Sequence, residues 1–115
     1  MIKIKRSYEP AYEDDGFRIL VDKLWPRGVS KDKANLNLWM KEIAPSDDLR
    51  KWFAHDPGKW EEFQNKYKKE LKGKKKYITR IKEIEKENST ITLVYSAKDK
   101  DHNNAIVLEN VLNKL

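Results

Sequence analysis

Hydrophobic and polar residues alternate at the start of the chain, where Ile2–Arg6 reads Ile-Lys-Ile-Lys-Arg. A period of two is typical of a strand that buries one face. Phe17–Leu24 contains the unbroken apolar run Ile19-Leu20-Val21 and predicts a strand that is covered on both faces. Thr90–Ala97 is rich in β-branched residues and is the clearest strand signal in the chain. The pattern predicts about three strands, with Ser7–Gly16 as a loop between the first two.

Between the second strand and the last, apolar residues recur at helical spacing behind recognisable helix starts. The predicted boundaries are Ser30, Ser46 and Asp56-Pro57 as starts, Gly73 and Asn88-Ser89 as ends, and Asn103 as the start of a final helix. The apolar positions assigned to these helices are, in chain order, Leu36, Trp39 or Met40, and Ile43; Leu49, Trp52 and Phe53; Trp60, Phe63, Tyr67 and Leu71; Tyr77, Ile81 and Ile84; and Ala105, Leu108, Val111 or Leu112, and Leu115.

Strands at both ends of the chain, with helices between them, indicate a single α/β domain over residues 1–115. The long helical stretch before the last strand favours a mainly parallel sheet with a right-handed crossover. Parallel sheets bind ligands at the carboxyl ends of their strands. Those ends are Arg6–Tyr8, Asp22–Gly28 and Ser96–Asp99, so we expect a site at that edge.

The composition excludes several classes of site. The 115 residues contain no cysteine, which excludes disulfide scaffolds, thiolate zinc sites and cysteine nucleophiles. No apolar run approaches the roughly 20 residues that span a bilayer, and the charged, alternating start of the chain is unlike a signal peptide. We therefore expect a cytoplasmic protein with no membrane partner, and the sequence assigns no oligomeric state.

The chain is basic, with a formal net charge of +6. Seven lysines lie between Lys66 and Lys76, against the single acid Glu70. This cluster raises the hypothesis of a nucleic-acid-binding accessory domain. However, lysine outnumbers arginine by twenty to five, and specific readers of phosphates and bases favour arginine. A solvated helix face is therefore the favoured interpretation of the cluster.

Two residues that follow the second strand carry candidate chemistry. Asp22 ends an apolar run, where an acid needs a partner; it is a candidate general base or metal ligand, or the structural partner of Arg27 or Lys98. Arg27 follows Trp25-Pro26, where a rigid turn beside an aromatic ring can hold a guanidinium that binds a carboxylate or a phosphate. The alternative for Arg27 is that it bonds backbone carbonyls and holds the loop.

The last strand leads through Ser96–Asp99 into the final helix, whose free N–H groups and positive dipole end can hold an anion. The alternative is that Asp99 or Asn103 acts only as a helix cap. No glycine-rich fingerprint is present, so we expect no nucleotide cofactor. The two histidines, His55 and His102, lack a second nitrogen or sulfur ligand at metal-binding spacing, so we expect no metal site.

These residues together define a candidate site. The candidates for ligand binding are Tyr8, Trp25, Arg27, His55, Lys98 and Asn103, and the candidates for acid–base catalysis are Asp22 and Asp99. The aromatic residues between Trp52 and Tyr67 are assigned mainly to the core, although Trp39 and Trp52 are placed where they could partly line a pocket.

Three segments of the chain carry a specific order of short motifs. They are RILVDKLWPRGVSK (residues 18–31), LWMKEIAPSDDLRKWFAHDPGKWEEFQNKY (residues 38–67) and TLVYSAKDKDHNNAIVL (residues 92–108). In the order and spacing of WPRG, IAPS, LRKWF, HDP and YSAKD, the chain resembles the YeaO-like family, a domain of unknown function. The resemblance implies a small Rossmann-like, three-layer α/β fold.

The resemblance also assigns residues to signature motifs: Asp22, Trp25, Arg27, Arg50, Trp52, His55, Asp56, Tyr95, Asp99 and Asn103. A broader set of similar domains carries a Cys and His motif at the last strand–helix junction. This chain has Ser96, Lys98, Asp99 and His102 there, so thiol or metal chemistry of those domains is not carried over.

The leading hypothesis is a protein that binds or acts on a small anionic ligand, such as a phosphorylated compound, at the carboxyl edge of the sheet. Arg27 would contact the anion, helped by Lys98 and the start of the final helix. One alternative is a nucleic-acid-binding domain that uses the Lys66–Lys76 cluster. Another is a protein–protein interaction module that exposes a tryptophan in an apolar patch. The sequence leaves open whether the protein is an enzyme.

Overall fold

The chain folds around a four-stranded sheet in a computed structural model that describes residues 1–115. The strands are β1 (Ile2–Arg6), β2 (Phe17–Leu20), β3 (Leu38–Trp39) and β4 (Ile91–Tyr95). The α-helices are α1 (Lys31–Ala34), α2 (Asp47–Phe53), α3 (Trp60–Lys72), α4 (Lys75–Asn88) and α5 (Asn104–Asn113). Short 3-10 turns lie at Glu13–Asp15, Lys41–Ile43 and Pro57–Lys59. None of the helices is both long and apolar enough to cross a membrane.

All strand pairings in the sheet are parallel, and the strand order is β1-β4-β2-β3. Strand β4, the last in sequence, lies between β1 and β2, with Leu93 opposite Ile4 on one side and Ile19 on the other. All five residues of β4 are buried. The predicted α/β class is confirmed, and the carboxyl ends of the strands meet at one edge of the sheet.

The segment after Ser30 differs from the predicted helix. Ser30 caps α1 as predicted, but this helix has only four residues because Asn35 adopts a left-handed conformation with φ 46°. Leu38–Trp39 then forms β3, and the Met40 N–H donates to the Leu20 carbonyl at 3.0 Å. The predicted helix carrying the apolar residues of positions 36–43 is therefore wrong. Instead of continuing a helix, Leu38–Trp39 pairs with β2 and forms a fourth strand of the sheet.

Strand β2 is shorter than its apolar run predicts. It ends at Leu20, and the chain has left the sheet by Asp22. The predicted extension to Leu24 is wrong because the carboxylate of Asp22 bonds to the loop after β4 instead of continuing a strand. As a result Leu24 is 60% exposed.

One face of the sheet packs against α2–α5 in a single apolar core. Ser46, Asp56 and Asn103 each accept a backbone N–H at the start of a helical segment, which confirms the three predicted N-caps. The buried residues of α3, α4 and α5 in this core are Phe63, Tyr67, Leu71, Ile78, Ile81, Ile84, Ala105, Val107, Leu108 and Leu112. Leu115 was expected there as well, but it lies beyond the end of α5 and is exposed.

The opposite face of the sheet is covered by the loop before β2 and by α1. Arg18 is fully buried on this face, and its guanidinium donates to the Asp15 carboxylate at 2.6 Å and to the Ala34 carbonyl at 2.9 Å. Lys5 donates to the same carboxylate at 3.1 Å, and the Thr92 hydroxyl donates to the Asp15 carbonyl at 2.6 Å. The sheet thus lies between a thick layer of helices and a thin layer of turns, a Rossmann-like three-layer arrangement.

Candidate functional site

A cavity of about 890 Å³ opens at the carboxyl ends of β2 and β4, beside the start of α5. Its lining comes from within three stretches, residues 22–27, 44–55 and 96–104, together with Phe63 of α3. Its volume is in the range of pockets that hold small molecules. The cavity lies where ligands bind in open parallel sheets.

Asp22 connects three elements beside this cavity. One carboxylate oxygen accepts the Ser96 N–H at 2.9 Å, and the other accepts from the Asn104 side-chain amide at 3.2 Å. Its backbone carbonyl accepts the Trp39 indole N–H at 2.8 Å. Burial raises the pKa of Asp22 above its ordinary value, although the Asn104 and Ser96 bonds favour the ionised form. The partners of Asp22 are thus a backbone N–H and an amide rather than Arg27 or Lys98.

Asp99 organises the loop between β4 and α5. Its carboxylate accepts the backbone N–H of Asp101 at 2.9 Å and lies 2.8 Å from Nδ1 of His102. The Asp101 N–H and the His102 side chain hold the pKa of Asp99 below its ordinary value. The His102 ring packs edge-on against Trp60, with ring centroids 5.2 Å apart. Nowhere in the chain do three or more His, Cys, Asp or Glu residues form a group that could hold a metal ion.

Asn103 is buried at the start of α5 and all of its side-chain polar groups are engaged. Its oxygen accepts the Ile106 N–H at 3.1 Å, and its amide donates to the Asp99 and Lys100 carbonyls. Of the two roles considered for Asn103, these contacts correspond to the helix cap.

Cationic side chains outnumber acidic ones in the cavity lining. The cationic residues are Lys23, Arg27, Arg50, Lys51 and Lys98, and the acidic residues are Asp22 and Asp99. Arg27, Lys51 and Lys98 have neither an ion pair nor a side-chain hydrogen bond within the chain. Low-dielectric walls around such an excess of charge raise the local concentration of anions.

Arg50 has an unsatisfied donor. One terminal nitrogen of its guanidinium lies 3.2 Å from the Asp47 carboxylate, which also lies 3.5 Å from Nζ of Lys23. The Arg50 Nε is buried and has no hydrogen-bond partner. An unpaired buried N–H costs about 1–3 kcal/mol, so Arg50 gains from any further acceptor that reaches it.

The backbone is strained where α2 ends at the cavity. Ala54 and His55 are consecutive left-handed residues, with φ 47° and 57°. Each such conformation costs roughly 1–2 kcal/mol for a residue other than glycine. Strain of this kind concentrates at ligand-binding sites, and both residues line the cavity.

Most of the predicted site residues meet at this cavity. Those that line it are Asp22, Trp25, Arg27, His55, Lys98, Asp99 and Asn103. Tyr8 is not part of the lining; its hydroxyl donates to the Arg27 carbonyl at 3.0 Å and so holds the loop that carries Arg27. Trp39 lies against Trp25, with ring centroids 5.4 Å apart, and neither Trp39 nor Trp52 lines the cavity.

Several polar lining residues were missed as contributors to a site: Lys23, Arg50, Lys51, His102 and Asn104. Arg50 and Lys51 lie between Leu49 and Phe53, the apolar positions by which α2 was recognised. The signal that could have found them is the polar face of this short helix, because α2 follows the predicted site loops and precedes the predicted His55.

The Lys66–Lys76 cluster lies at the end of α3 and the start of α4 and contributes no residue to the cavity lining. Lys74 donates to the Ala44 carbonyl at 2.8 Å, and Lys66 lies 5.0 Å from the Trp52 ring. Lys76 lies 5.1 Å from the Tyr77 ring, so three of the seven lysines make contacts of this kind within the fold. Nucleic-acid binding by this cluster stays a prediction.

The fold and the cavity define a small Rossmann-like α/β domain with a basic site at the carboxyl edge of its sheet. Over residues 1–115 the chain matches the family described as the "Inactive DUF488-N3 subclade", and it belongs to that family. The "Uncharacterized protein YeaO" of Escherichia coli (strain K12) is 43% identical over 114 residues, covering 99% of this chain and 98% of that protein. The "Uncharacterized protein Rv3073c" of Mycobacterium tuberculosis (strain ATCC 25618 / H37Rv) is 35% identical over 114 residues, covering 97% and 93%. The predicted YeaO-like resemblance is confirmed, and no solved structure matches the chain significantly.

Proposed function

We propose that the protein binds a small anionic ligand in the cavity at the carboxyl edge of the sheet. The observation that carries this proposal is the set of three cationic side chains, Arg27, Lys51 and Lys98, that line the cavity without a partner. Long cationic side chains without partners are common on open surfaces, but these three share one concave site with two further cations. The unpaired Nε of Arg50 adds a donor that a ligand oxygen would satisfy.

The proposed role is binding without a covalent step. The family is described as inactive, and the last strand–helix junction of this chain contains no cysteine. Both oxygens of Asp22 accept hydrogen bonds, and the lowered pKa of Asp99 makes it a weak base. These features favour recognition of an anion over acid–base catalysis.

A thermal-unfolding screen tests the proposal. The purified chain is heated with inorganic phosphate, sugar phosphates, nucleotides, small carboxylates and short nucleic acids, each at several concentrations. A ligand at 100 times its dissociation constant adds about 2.7 kcal/mol of stability, which for a domain of this size raises Tm by roughly 10 °C. We expect at least one small anion to produce such a shift.

Variants in the cavity decide where the anion binds. Arg27→Ala and Arg50→Met should each weaken binding at least about tenfold, the usual effect of losing a charge-assisted hydrogen bond. Arg80→Met is the matched control, because Arg80 lies on α4, is half exposed and does not line the cavity. Equal binding by Arg27→Ala, Arg50→Met and the unsubstituted protein would contradict the proposed site. A salt-sensitive shift with nucleic acid alone, lost when Lys66–Lys76 lysines are neutralised, would replace the proposal by the nucleic-acid hypothesis.

A further inference from the structure

The charges around the cavity do not cancel. The lining holds five cationic side chains, Lys23, Arg27, Arg50, Lys51 and Lys98, and two carboxylates, Asp22 and Asp99. Asp47, just outside the lining, offsets one more cation because it contacts both Arg50 and Lys23. Five cations against three carboxylates leave two positive charges uncompensated among the lysine, arginine and aspartate side chains.

The excess of two positive charges distinguishes between the common anionic groups, because these groups differ in charge. A phosphate monoester carries about −1.5 to −2 at pH 7, whereas a carboxylate or a sulfate monoester carries a single charge. Only the phosphate monoester compensates both positive charges. Its three terminal oxygens also supply enough acceptors for Arg27, Arg50 and Lys98 together.

An apolar surface lies beside the cations. Leu24 lines the cavity and is 60% exposed, although leucine is a residue type that proteins usually bury. Trp25 lines the cavity next to it, with Nε1 donating to the Val29 carbonyl at 2.7 Å and its ring edge-on to Trp39. An indole held in this way forms a rigid wall, against which a flat apolar group packs with little loss of side-chain freedom.

We infer that the ligand is an organic phosphate monoester whose flat apolar group packs on Leu24 and Trp25. The phosphate group lies among Arg27, Arg50 and Lys98. This inference rests on the proposed anion site and names the class of ligand that the site takes. Inorganic phosphate fits the charges but leaves the apolar wall in contact with water, and a carboxylate with an aromatic ring covers the wall but leaves one positive charge uncompensated.

Calorimetric titration with four small probes tests this inference. The probes are phenyl phosphate, inorganic phosphate, phenyl sulfate and benzoate, each titrated at pH 7.5 and pH 5.5. At pH 7.5 we expect phenyl phosphate to bind at least about tenfold more tightly than phenyl sulfate or benzoate, because it makes a second charge-assisted contact. The ratio between phenyl phosphate and phenyl sulfate should shrink at pH 5.5, below the second phosphate pKa of about 6.

The ratio compares a probe whose charge changes between the two pH values with one that stays a monoanion. Asp22, His55, Asp99 and His102 line the cavity, and phenyl sulfate titrated at both pH values is the reference for the protein's own part of the pH dependence. A ratio that stays constant between the two pH values would overturn the assignment of a dianion. Equal affinity for phenyl sulfate and phenyl phosphate at pH 7.5 would overturn it as well, while leaving the anion site of the proposed function in place.

Substitution of Leu24 tests the apolar half of the inference. Leu24→Ala should weaken phenyl phosphate roughly fivefold through the lost apolar contact and leave inorganic phosphate unchanged. Leu115→Ala is the matched control, since Leu115 is also largely exposed and lies outside the cavity. Unchanged phenyl phosphate binding in Leu24→Ala would overturn the apolar contact. Failure of all four probes to bind would overturn the proposed function itself.

Discussion

The buried carboxylate of Asp15 should be among the most sensitive positions for stability, and Asp15→Ala tests this. Asp15 is 3% exposed and accepts from Arg18 at 2.6 Å, from Lys5 at 3.1 Å and from the Tyr12 N–H at 3.1 Å. Its loss leaves two cations without their partner. Lys5 stands at an edge strand and can turn toward water, but Arg18 is 2% exposed and cannot.

The expected cost follows from that difference. Removing one partner of a buried ion pair destabilises a protein by about 3–5 kcal/mol, because the remaining charge stays in a low-dielectric site. The three hydrogen bonds that the Arg18 guanidinium donates to the Ala34 and Asn35 carbonyls would stay in place. They should keep the loss of stability in the lower part of this range. Asp14→Ala is the neighbouring control. Asp14 is mostly exposed and lies 3.7 Å from Lys3, so its loss should cost less than about 1 kcal/mol.

Urea unfolding followed by tryptophan fluorescence measures both free energies of unfolding. Burial opposes ionisation of Asp15, but the bonds from Tyr12, Lys5 and Arg18 outweigh it, so the pKa of Asp15 lies below its ordinary value. The folded chain therefore binds fewer protons than the unfolded chain in acid. The stabilisation is complete above the ordinary carboxyl pKa of about 4 and is lost as the pH falls through the lowered pKa. The curves of Asp15→Ala and the unsubstituted chain should run parallel near neutral pH and converge in acid.

Two results would refute this reasoning. One is an Asp15→Ala cost below about 1 kcal/mol, or equal to that of Asp14→Ala, which would mean that Arg18 finds water or another partner. The other is a double variant, Asp15→Ala with Arg18→Met, that is less stable than Asp15→Ala alone. Removal of both charges should recover part of the loss, because no unpaired cation then remains buried.

Four further substitutions test local features of the fold by urea or thermal unfolding. Gly16→Ala should lower the free energy of unfolding by more than about 3 kcal/mol, because Gly16 has a positive φ and a Cβ there would collide with the Thr90 carbonyl. Gly28 also has a positive φ but has open space around it, so Gly28→Ala, the control, should cost only about 1–2 kcal/mol. Ala54→Gly should stabilise the chain by up to about 1 kcal/mol, or raise Tm by about 4 °C, by relieving the left-handed strain after α2. Tyr67→Phe should cost about 1–3 kcal/mol, because the buried carbonyl that its hydroxyl contacts at 2.6 Å loses its partner. Each prediction has a contrary result. Gly16→Ala without loss of stability would contradict the collision with Thr90, a less stable Ala54→Gly would contradict the backbone strain, and a neutral Tyr67→Phe would contradict the importance of its hydrogen bond.

The parts of the fold that the sequence predicts well are those where local and tertiary preferences agree. Helix α3 follows a 3-10 turn that Asp56 caps with proline next to it, and the helix has a single apolar stripe and a glycine at its end, so each signal points to the same helical segment. Strand β4 is β-branched and buried on both faces, so its propensity and its environment coincide. The N-caps Ser46 and Asn103 were recognisable for the same reason.

The errors occur where a long-range contact decides the local structure. The apolar residues at positions 36, 39 and 43 fit a helix. However, Leu38–Trp39 pairs with the free edge of β2, and this pairing cannot be inferred from the local sequence before β2 is placed in the sheet. The left-handed Asn35 was a local signal for the break, since asparagine tolerates that conformation better than most residues. Likewise, the predicted strand fails at Asp22, whose carboxylate accepts the N–H of Ser96, 74 positions away.

The sequence predicts the location of the candidate site better than it predicts which residues line it. Parallel topology alone places Asp22, Arg27 and Lys98 at one edge, because it follows from the order of strands and helices. Arg50 and Lys51 reach the same cavity from α2, whose packing angle on the sheet is not encoded in any local pattern. Residues contributed by a packed helix are therefore the ones that a sequence pattern leaves out.

The position of β4 in the sheet has a consequence for how the chain folds during synthesis. Strands β1 and β2 are both neighbours of β4 and not of each other, so β1 has no partner in the sheet, and β2 has only the two-residue strand β3, until residues 91–95 emerge from the ribosome. The cavity also waits for that moment, because one of its walls is the loop that follows β4. Nascent chains that stop before β4 would leave β1 and one edge of β2 unpaired, so the sheet is completed only after the long helical segment before β4 has been made.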